Sequence, residues 1–462
     1  MKRTPFSPKT RDSSTLLKNS KTQEENTDFD ENLQSRSCLS NLGTSSVRHE
    51  IAIALLTGGS DRPYVFGLTT SLISHGVAMD LIGSDELDFP ECHINGGLNF
   101  LNLRGCTRSD VRFLKKVVRV SMYYAKLIHY AATSKPKIFH ILWNNKFEML
   151  DRTLLMLYYR LLRKRVVLTV HNVNAGKRDS KDSRLNRLTL RIQYRLTHHI
   201  FVHTDKMKCE LIEEFGMQAA RVTVIPFGIN NSVPNTSLTS AAAKRRLGLR
   251  DNEKTILFFG RITPYKGLEY LIAAFEQVMA LDQNYRLVIA GKPDRCEEYW
   301  TAIQEDISEH VPKEQVLLKA NFIPDDETEV YFKAADVVVL PYRDIYQSGV
   351  LFLGHSFGLP VVAADVGSLK DEIVEGKTGF VFRPEDPVDL ARVIKQYFAS
   401  DLYADLKNRR SEIRAYASER HSWDVVGQRI IKVYGDLLQR PLPRKSSKCD
   451  ASSPSLDVKA SS

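Results

Sequence analysis

The strongest constraint on this chain is a recurrence of short, nearly uninterrupted apolar runs, each followed by a stretch of helical periodicity. In the first half they are "IAIALLTG", "AMDLIGS", "IFHILW", "RVVLTVHNV", "HIFVHT" and "RVTVIPFG". In the second they are "TILFFGR", "RLVIAGK", "VLLKANF", "DVVVLPY", "PVVAADV" and "GFVFRP". A strand with one solvated face alternates apolar and polar residues, whereas a parallel strand covered by helices on both faces does not. Strand, helix and strand with short connections therefore specify doubly wound α/β units. A chain of 462 residues is long for one such core and suits two. The polar, proline-bearing "NNSVPNTSLTSAAAKRR", residues 230–246, has no strand signal and marks the break. The expected architecture is two Rossmann-like domains, 49–235 and 236–419, facing across a cleft. A final helix near 420–440 is expected to cross back to the first domain. Ligands of open sheets bind beyond the carboxyl ends of the strands, which places the site in the cleft.

Residues 1–48 and 441–462, rich in small polar and charged residues without periodicity, read as disordered extensions. No apolar run approaches the roughly 18 residues that a membrane span needs. Met1-Lys2-Arg3 leads into no apolar signal core, so a cytoplasmic location is expected. The six cysteines show no CxxC spacing, which argues against a zinc site or a disulfide framework.

Two stretches could hold an anion. In "FFGRITPYKGLEYLIAAF" an apolar strand stops at Gly260, and Arg261, Lys266 and Gly267 lead into an amphipathic helix. The two cations and the helix N-terminus share the strand's carboxyl edge, where a diphosphate could be gripped. A surface turn with solvated charges is the plainer alternative. In "YQSGVLFLGHSFGLPVV", Ser348 is placed to cap a helix, and the amides of Gly349, Val350 and Leu351 form a second anion-compatible terminus. A capped core helix would look the same. Two such termini on neighbouring strands favour the anion site.

The stretches "GRITPYKGLEYLI", "AADVVVLPYRDIYQSGVLFLGHSFGLPVVAADVGSLKDEIVEGKTGFVFRPEDPVDLA" and "HSWDVV" resemble the retaining glycosyltransferases of family 4, which have the GT-B architecture. The similarity covers about residues 50–440. It implies that Arg261 and Lys266 bind the donor's diphosphate and that Gly58 and Gly59 of "LLTGGSDR" approach donor and acceptor. It also implies that Phe322 and Ile323 hold the nucleotide base and that His171 of "TVH" contacts the transferred sugar. A lone strand-end histidine is more often structural, and His140 and His203 keep that reading; the resemblance reverses it for His171. Most relatives carry two glutamates, eight positions apart, that contact the sugar and the ribose. Here those positions are Ile345 and Leu353, neither of which can accept a hydrogen bond through its side chain. Donor choice, or activity itself, is therefore open. The mechanism implied is transfer with retention and without metal, fixed cations standing in place of a divalent ion as charge builds on the leaving phosphate. No cofactor is expected beyond the nucleotide-sugar co-substrate. Glu269 reads as an exposed helix residue.

Charge is unevenly placed. Arg104–Ile200 carries 22 Lys plus Arg against five acids, although the whole chain is only +10. One basic stripe comprises Arg112, Lys115, Lys116, Arg119 and Lys126; a second comprises Arg184, Arg187, Arg191 and Arg195, beside an apolar face. Docking on an anionic membrane is favoured over a solvated face. Nucleic acid is disfavoured because no motif for it accompanies the charge. The sequence thus reads as a peripheral membrane transferase acting on a glycan or lipid-linked acceptor. The rivals are a silent nucleotide-sugar-binding protein and a GT-B isomerase or phosphorylase.

Overall fold

A computed structural model describes residues 51–58, 61–89, 96–106, 113–178, 182–230 and 233–439. The expected extensions, Gly59 and Arg112 lie outside these residues. The first sheet comprises β1 (Ile51–Leu56), β2 (Val77–Gly83), β3 (Leu98–Asn102), β4 (Ile138–Ile141), β5 (Arg165–Val170), β6 (His199–Val202) and β7 (Val222–Val224). Its order is β3-β2-β1-β4-β5-β6-β7, with every pair parallel. The second sheet holds β8 (Lys254–Phe259), β9 (Tyr285–Ala290), β10 (Val316–Lys319), β11 (Val337–Leu340), β12 (Val361–Ala364) and β13 (Gly379–Phe382). It is also parallel, in the order β10-β9-β8-β11-β12-β13.

The twelve apolar runs all form strands. The strand that the sequence pattern does not signal is β3. Its "LNFLN" alternates, it lies at a sheet edge, and none of its residues is fully buried. By contrast β5 and β9 are buried at every position, as strands covered on both faces must be. Each buried Val, Leu or Ile contributes roughly 1.5–3 kcal/mol, which makes a slip in strand register costly.

Four helices cover one face of the first sheet: α2 (Phe113–Thr133), α3 (Met156–Leu161), α4 (Arg184–Leu196) and α5 (Asp205–Glu213). The opposite face is covered by α1 (Arg62–Ser74) and by the last helix, α9 (Trp423–Gln439), which follows α8 (Leu406–His421). Asp61 begins α1 by accepting a hydrogen bond from the Tyr64 amide at 3.2 Å. The crossing of α9 is locked by polar contacts. Ser71 Oγ donates to the Trp423 carbonyl at 2.6 Å, and Trp423 Nε1 donates to the Ile229 carbonyl at 2.7 Å. Farther along, the Tyr434 hydroxyl meets His140 Nδ1 at 2.6 Å. His140 is fully buried, and its Nε2 meets Thr169 Oγ1 at 2.7 Å, so its partners are structural. Among the described residues no helix is long and apolar enough to cross a membrane.

Each sheet has a switch point, between β1 and β4 in the first and between β8 and β11 in the second. There the connections leave in opposite directions and open a crevice at the carboxyl edge. The loops that follow these four strands, together with those after β5 and β6, build the site.

Candidate active site

These loops line a cavity of about 450 Å³ between the two sheets. The first sheet contributes Asp61, Tyr64, Trp143, His171 and His203; the second contributes Arg261, Lys266, Ile345, Gln347, Ser348, Gly349, Val350 and Leu353. Two glycines make the approach possible. Gly58 has φ +55°, and a Cβ there would lie 1.9 Å from the Trp143 carbonyl oxygen. Gly267, at φ +62°, turns the chain into α6 (Leu268–Met279), and its Cβ would lie 2.1 Å from the Pro341 carbonyl oxygen.

The electrostatic centre is Lys266. It ends a single turn, Pro264–Lys266, and is 93% buried by virtue of a relative exposure of 7%. Its Nζ lies 5.2 Å from the Tyr342 ring centroid. Among the described residues no carboxylate pairs with it. Burial, and secondarily the charge of Arg261, lower its pKa to about 7. Arg261 is exposed and meets Asp294 at 3.2 Å, which holds the guanidinium at the cavity mouth. A buried ammonium without a carboxylate is costly, and a bound anion would relieve that cost.

The helix after β11, α7 (Gly349–Ser356), faces the cavity with its first turn. Two details differ from the sequence reading. Ser348 occupies the N-cap but makes no side-chain capping bond; its Oγ is 3.3 Å from the Tyr342 hydroxyl. The Leu351 amide is already used, donating to the Ser348 carbonyl at 3.1 Å, and its side chain is buried in the core. The Gly349 and Val350 residues do line the cavity.

His171 is stacked on Trp143, with ring centroids 4.3 Å apart and planes within 3°. Its Nδ1 lies 3.2 Å from His203 Nε2, while His203 Nδ1 faces the Ile225 carbonyl at 3.4 Å. A carbonyl only accepts, so His203 carries its proton on Nδ1. Burial lowers the His203 pKa to about 4 and that of His171 well below the usual value, so both rings are neutral near pH 7. His203 Nε2 then accepts from His171 Nδ1–H, which leaves a bare lone pair on His171 Nε2. That atom is buried without a partner among the described residues. His203, read from sequence as structural, thus fixes the tautomer of His171.

Other residues named from sequence fall elsewhere. Phe322 is 75% exposed, and Ile323 packs against the second sheet's core; neither lines the cavity. Gly58 supports the wall rather than lining it. Glu269 is half-buried, hydrogen-bonded by the Tyr299 hydroxyl and 3.9 Å from Arg343, not simply solvated. Ile345 and Leu353 do line the cavity, so the absent carboxylates are absent from the site itself. Sequence reasoning missed Gln347. Both its amide atoms are buried without a partner among the described residues, two positions from Ile345. No periodicity marks such a residue; only its orientation in the folded loop does.

Two parallel sheets whose switch-point loops close on a cationic cavity, bridged by a returning helix, define the GT-B class of α/β protein. Residues 62–233 match the family model described as Glycosyltransferase Family 4, and residues 240–420 match that described as Glycosyl transferases group 1. The chain belongs to this family of glycosyltransferases. An uncharacterized glycosyltransferase of Methanocaldococcus jannaschii is 26% identical over 377 residues, covering 80% of this chain and 92% of that protein. A D-inositol 3-phosphate glycosyltransferase of Corynebacterium urealyticum is 26% identical over 246 residues, 52% of this chain and 57% of that one. That second match therefore spans only about half of either protein. The Anabaena protein HepE, solved in complex with UDP and glucose, has the same fold. Its TM-score is 0.65 at 17% identity, covering 84% of this chain and all of that one.

Proposed function

We propose that this glycosyltransferase moves a sugar, with retention and without a metal, from a nucleotide diphosphate-sugar to a glycan or lipid-linked acceptor at an anionic membrane surface. The observation that carries the donor half is Lys266: a buried ammonium with no carboxylate partner, facing a cavity that Arg261 also lines. A diphosphate supplies the missing negative charge, and the Gly349 and Val350 end of α7 adds backbone dipoles. The fold's likeness to a protein solved with UDP and glucose supports a nucleotide in this cleft.

In the step itself, the acceptor hydroxyl oxygen bonds to the anomeric carbon as the bond from that carbon to the β-phosphate oxygen breaks. The hydroxyl proton leaves with the nucleoside diphosphate. Lys266 and Arg261 oppose the charge that grows on the phosphate, and such preorganised groups are usually the largest catalytic contribution. His171 Nε2 accepts a hydrogen bond from a sugar hydroxyl. Gln347 donates and accepts where relatives use carboxylates.

The membrane half rests on the first domain's helical face. Lys115 and Lys126 are exposed on α2 beside Val118 and Met122; Arg184, Arg191 and Arg195 are exposed on α4 beside Leu185 and Leu188. Between these helices α3 exposes Leu161, 73% accessible. Apolar side chains among cations suit an anionic bilayer better than a merely solvated face. Three members of the stripes are otherwise engaged: Arg119 donates to the Cys106 carbonyl, Arg187 pairs with Asp182 at 2.6 Å, and Arg191 donates to the Glu214 carbonyl at 3.4 Å.

Incubation with UDP-, GDP- and ADP-sugars, with and without EDTA, tests the reading. Release of nucleoside diphosphate that is unaffected by the chelator, with a product of unchanged anomeric configuration by NMR, is expected. Ile345 and Leu353 favour one second reading, a protein that binds nucleotide sugars without turning them over. Thermal stabilisation by a nucleotide, with no release from any donor and any acceptor extract, would establish that reading instead.

A further inference from the structure

Outside the donor cavity, two adjoining cavities open at the carboxyl edge of the first sheet. The smaller, about 180 Å³, is lined by Arg104, Lys116, Arg119 and Lys146 together with Tyr123 and Asn145, and among the described residues no Asp or Glu lines it. At about 30 Å³ per water it has room for several water-sized groups. The larger, about 540 Å³, shares Arg104 and Arg119 and adds apolar Leu103, Val118 and Met122 with Lys115 and Lys126. The four cations come from three places: the end of β3, one face of α2, and the loop after β4.

The smaller cavity has a defined frame. The Arg104 guanidinium donates to the Gly58 carbonyl and lies 5.7 Å from the Tyr123 ring centroid. Arg119 donates to the Cys106 carbonyl. The Tyr123 hydroxyl donates to Asn145 Oδ1 at 2.5 Å. Asp151, the carboxylate behind this frame, accepts at Oδ1 from the Tyr124 hydroxyl at 3.0 Å and from Asn145 at 3.2 Å; its Oδ2 is buried without a partner among the described residues, and Asp151 is not one of the lining residues. The frame is continuous with the donor cavity, because Trp143 lines that cavity and Asn145 and Lys146, in the same loop, line this one.

Four like charges around one small space repel one another, and an anion bound there would relieve that repulsion. A carboxylate could do so, but a phosphoryl group offers more oxygens and more charge to donors converging from several directions. We propose that this cavity holds a phosphate ester carried by the acceptor, which places the acceptor hydroxyl toward the donor cleft. The proposal rests on the glycosyl-transfer reading. The phosphate could belong to a soluble phosphorylated polyol or sugar, or to a lipid whose chain lies along Leu103, Val118 and Met122.

The test compares the wild-type protein with Lys116→Ala/Lys146→Ala, neither lysine being in the donor cavity. Thermal shift is followed against inorganic phosphate and, separately, dihexanoyl phosphatidic acid below its micelle concentration, at ionic strength held constant with sodium chloride. The expected result is a saturable shift in the wild type whose half-saturation rises at least tenfold in the variant. Equal half-saturation for the two probes assigns the site to the phosphate alone; tighter binding of the lipid adds the apolar cavity, and both support the proposal. Identical half-saturation in wild type and variant, or no saturable shift with either probe, overturns it. A parallel titration with UDP, GDP and ADP reads the donor cleft. If no nucleotide stabilises the protein, the transfer reading fails, whereas nucleotide binding without phosphate binding rejects this inference alone.

Discussion

Lys266 and the cations of α2 and α4 carry the same charge in opposite surroundings. Lys266 is buried, and its pKa is lowered to about 7. Lys115, Lys126, Arg184 and Arg195 are exposed to water. Water pays the solvation of the exposed set, so each of those charges is individually weak and, on the proposed reading, acts only by accumulation against a large anionic surface. The buried lysine has no such support, and in the proposed function its charge acts on one ligand at short range, where burial leaves it poorly screened. In the proposed function, position rather than residue type separates a catalytic cation from a docking cation.

The sharpest way to break this contrast is Lys266→Met. Turnover should fall on the order of a thousandfold, as for loss of a preorganised charge-stabilising group. Melting temperature should stay level or rise, because the change removes a buried, unpaired charge. A collapse in melting temperature would make Lys266 a structural residue.

Next in size is a dependence on pH. The free protein loses the Lys266 proton as pH rises through about 7, while a bound diphosphate favours the charged form. Nucleotide affinity should therefore be greatest below pH 7 and fall by up to about tenfold per unit between pH 7 and 9. Calorimetry at pH 8 in two buffers of different ionisation enthalpy should show uptake of nearly one proton, lost in Lys266→Met. The stability of the free protein should move the other way. The lowered folded pKa means that the unfolded chain binds more protons between about pH 7 and the ordinary lysine range, so this group's contribution to stability improves as pH rises through that window.

Neutralising two exposed cations, Lys115→Ala/Lys126→Ala, should weaken sedimentation with anionic vesicles by roughly thirtyfold, at about 1 kcal/mol each. Donor hydrolysis in the absence of vesicles should be unchanged. If vesicle binding is unaltered, the basic stripes are ordinary solvated faces.

The smallest expected effect belongs to Gln347→Leu. It should weaken a nucleotide sugar about tenfold relative to the free nucleoside diphosphate, the scale of one or two buried hydrogen bonds. Equal weakening of both ligands would show that the amide reads the nucleotide and not the sugar.

Much of the fold is legible in the sequence, for a physical reason. Parallel strands buried on both faces need unbroken apolar runs, and these punctuate the chain at every strand except β3. That strand is short, alternating and at an edge, where packing against β2 decides and local pattern does not. The site is legible only in part. Arg261, Lys266 and Gly267 stand out because a glycine-punctuated turn between strand and helix has few other uses. The engaged amide of Leu351 is not legible, because whether an amide is free depends on the closing geometry of its own turn. Phe322 and Ile323 follow β10, which lies at the sheet's edge and away from the switch point, so their loop does not line the cavity.

The amino-acid sequence by itself determined the alternation of strand and helix, the two wound sheets, and which turns carry positive charge. These follow from hydrophobic period and from glycine and proline chemistry, which act over a few residues. The tertiary structure decided that Lys266 is buried, that His203 sets the proton of His171, and that Gln347 and Asp61 share a cavity with them. Those facts depend on loops from β1, β5, β6, β8 and β11 arriving at one place, and desolvation and hydrogen-bond partners are properties of that place rather than of any segment.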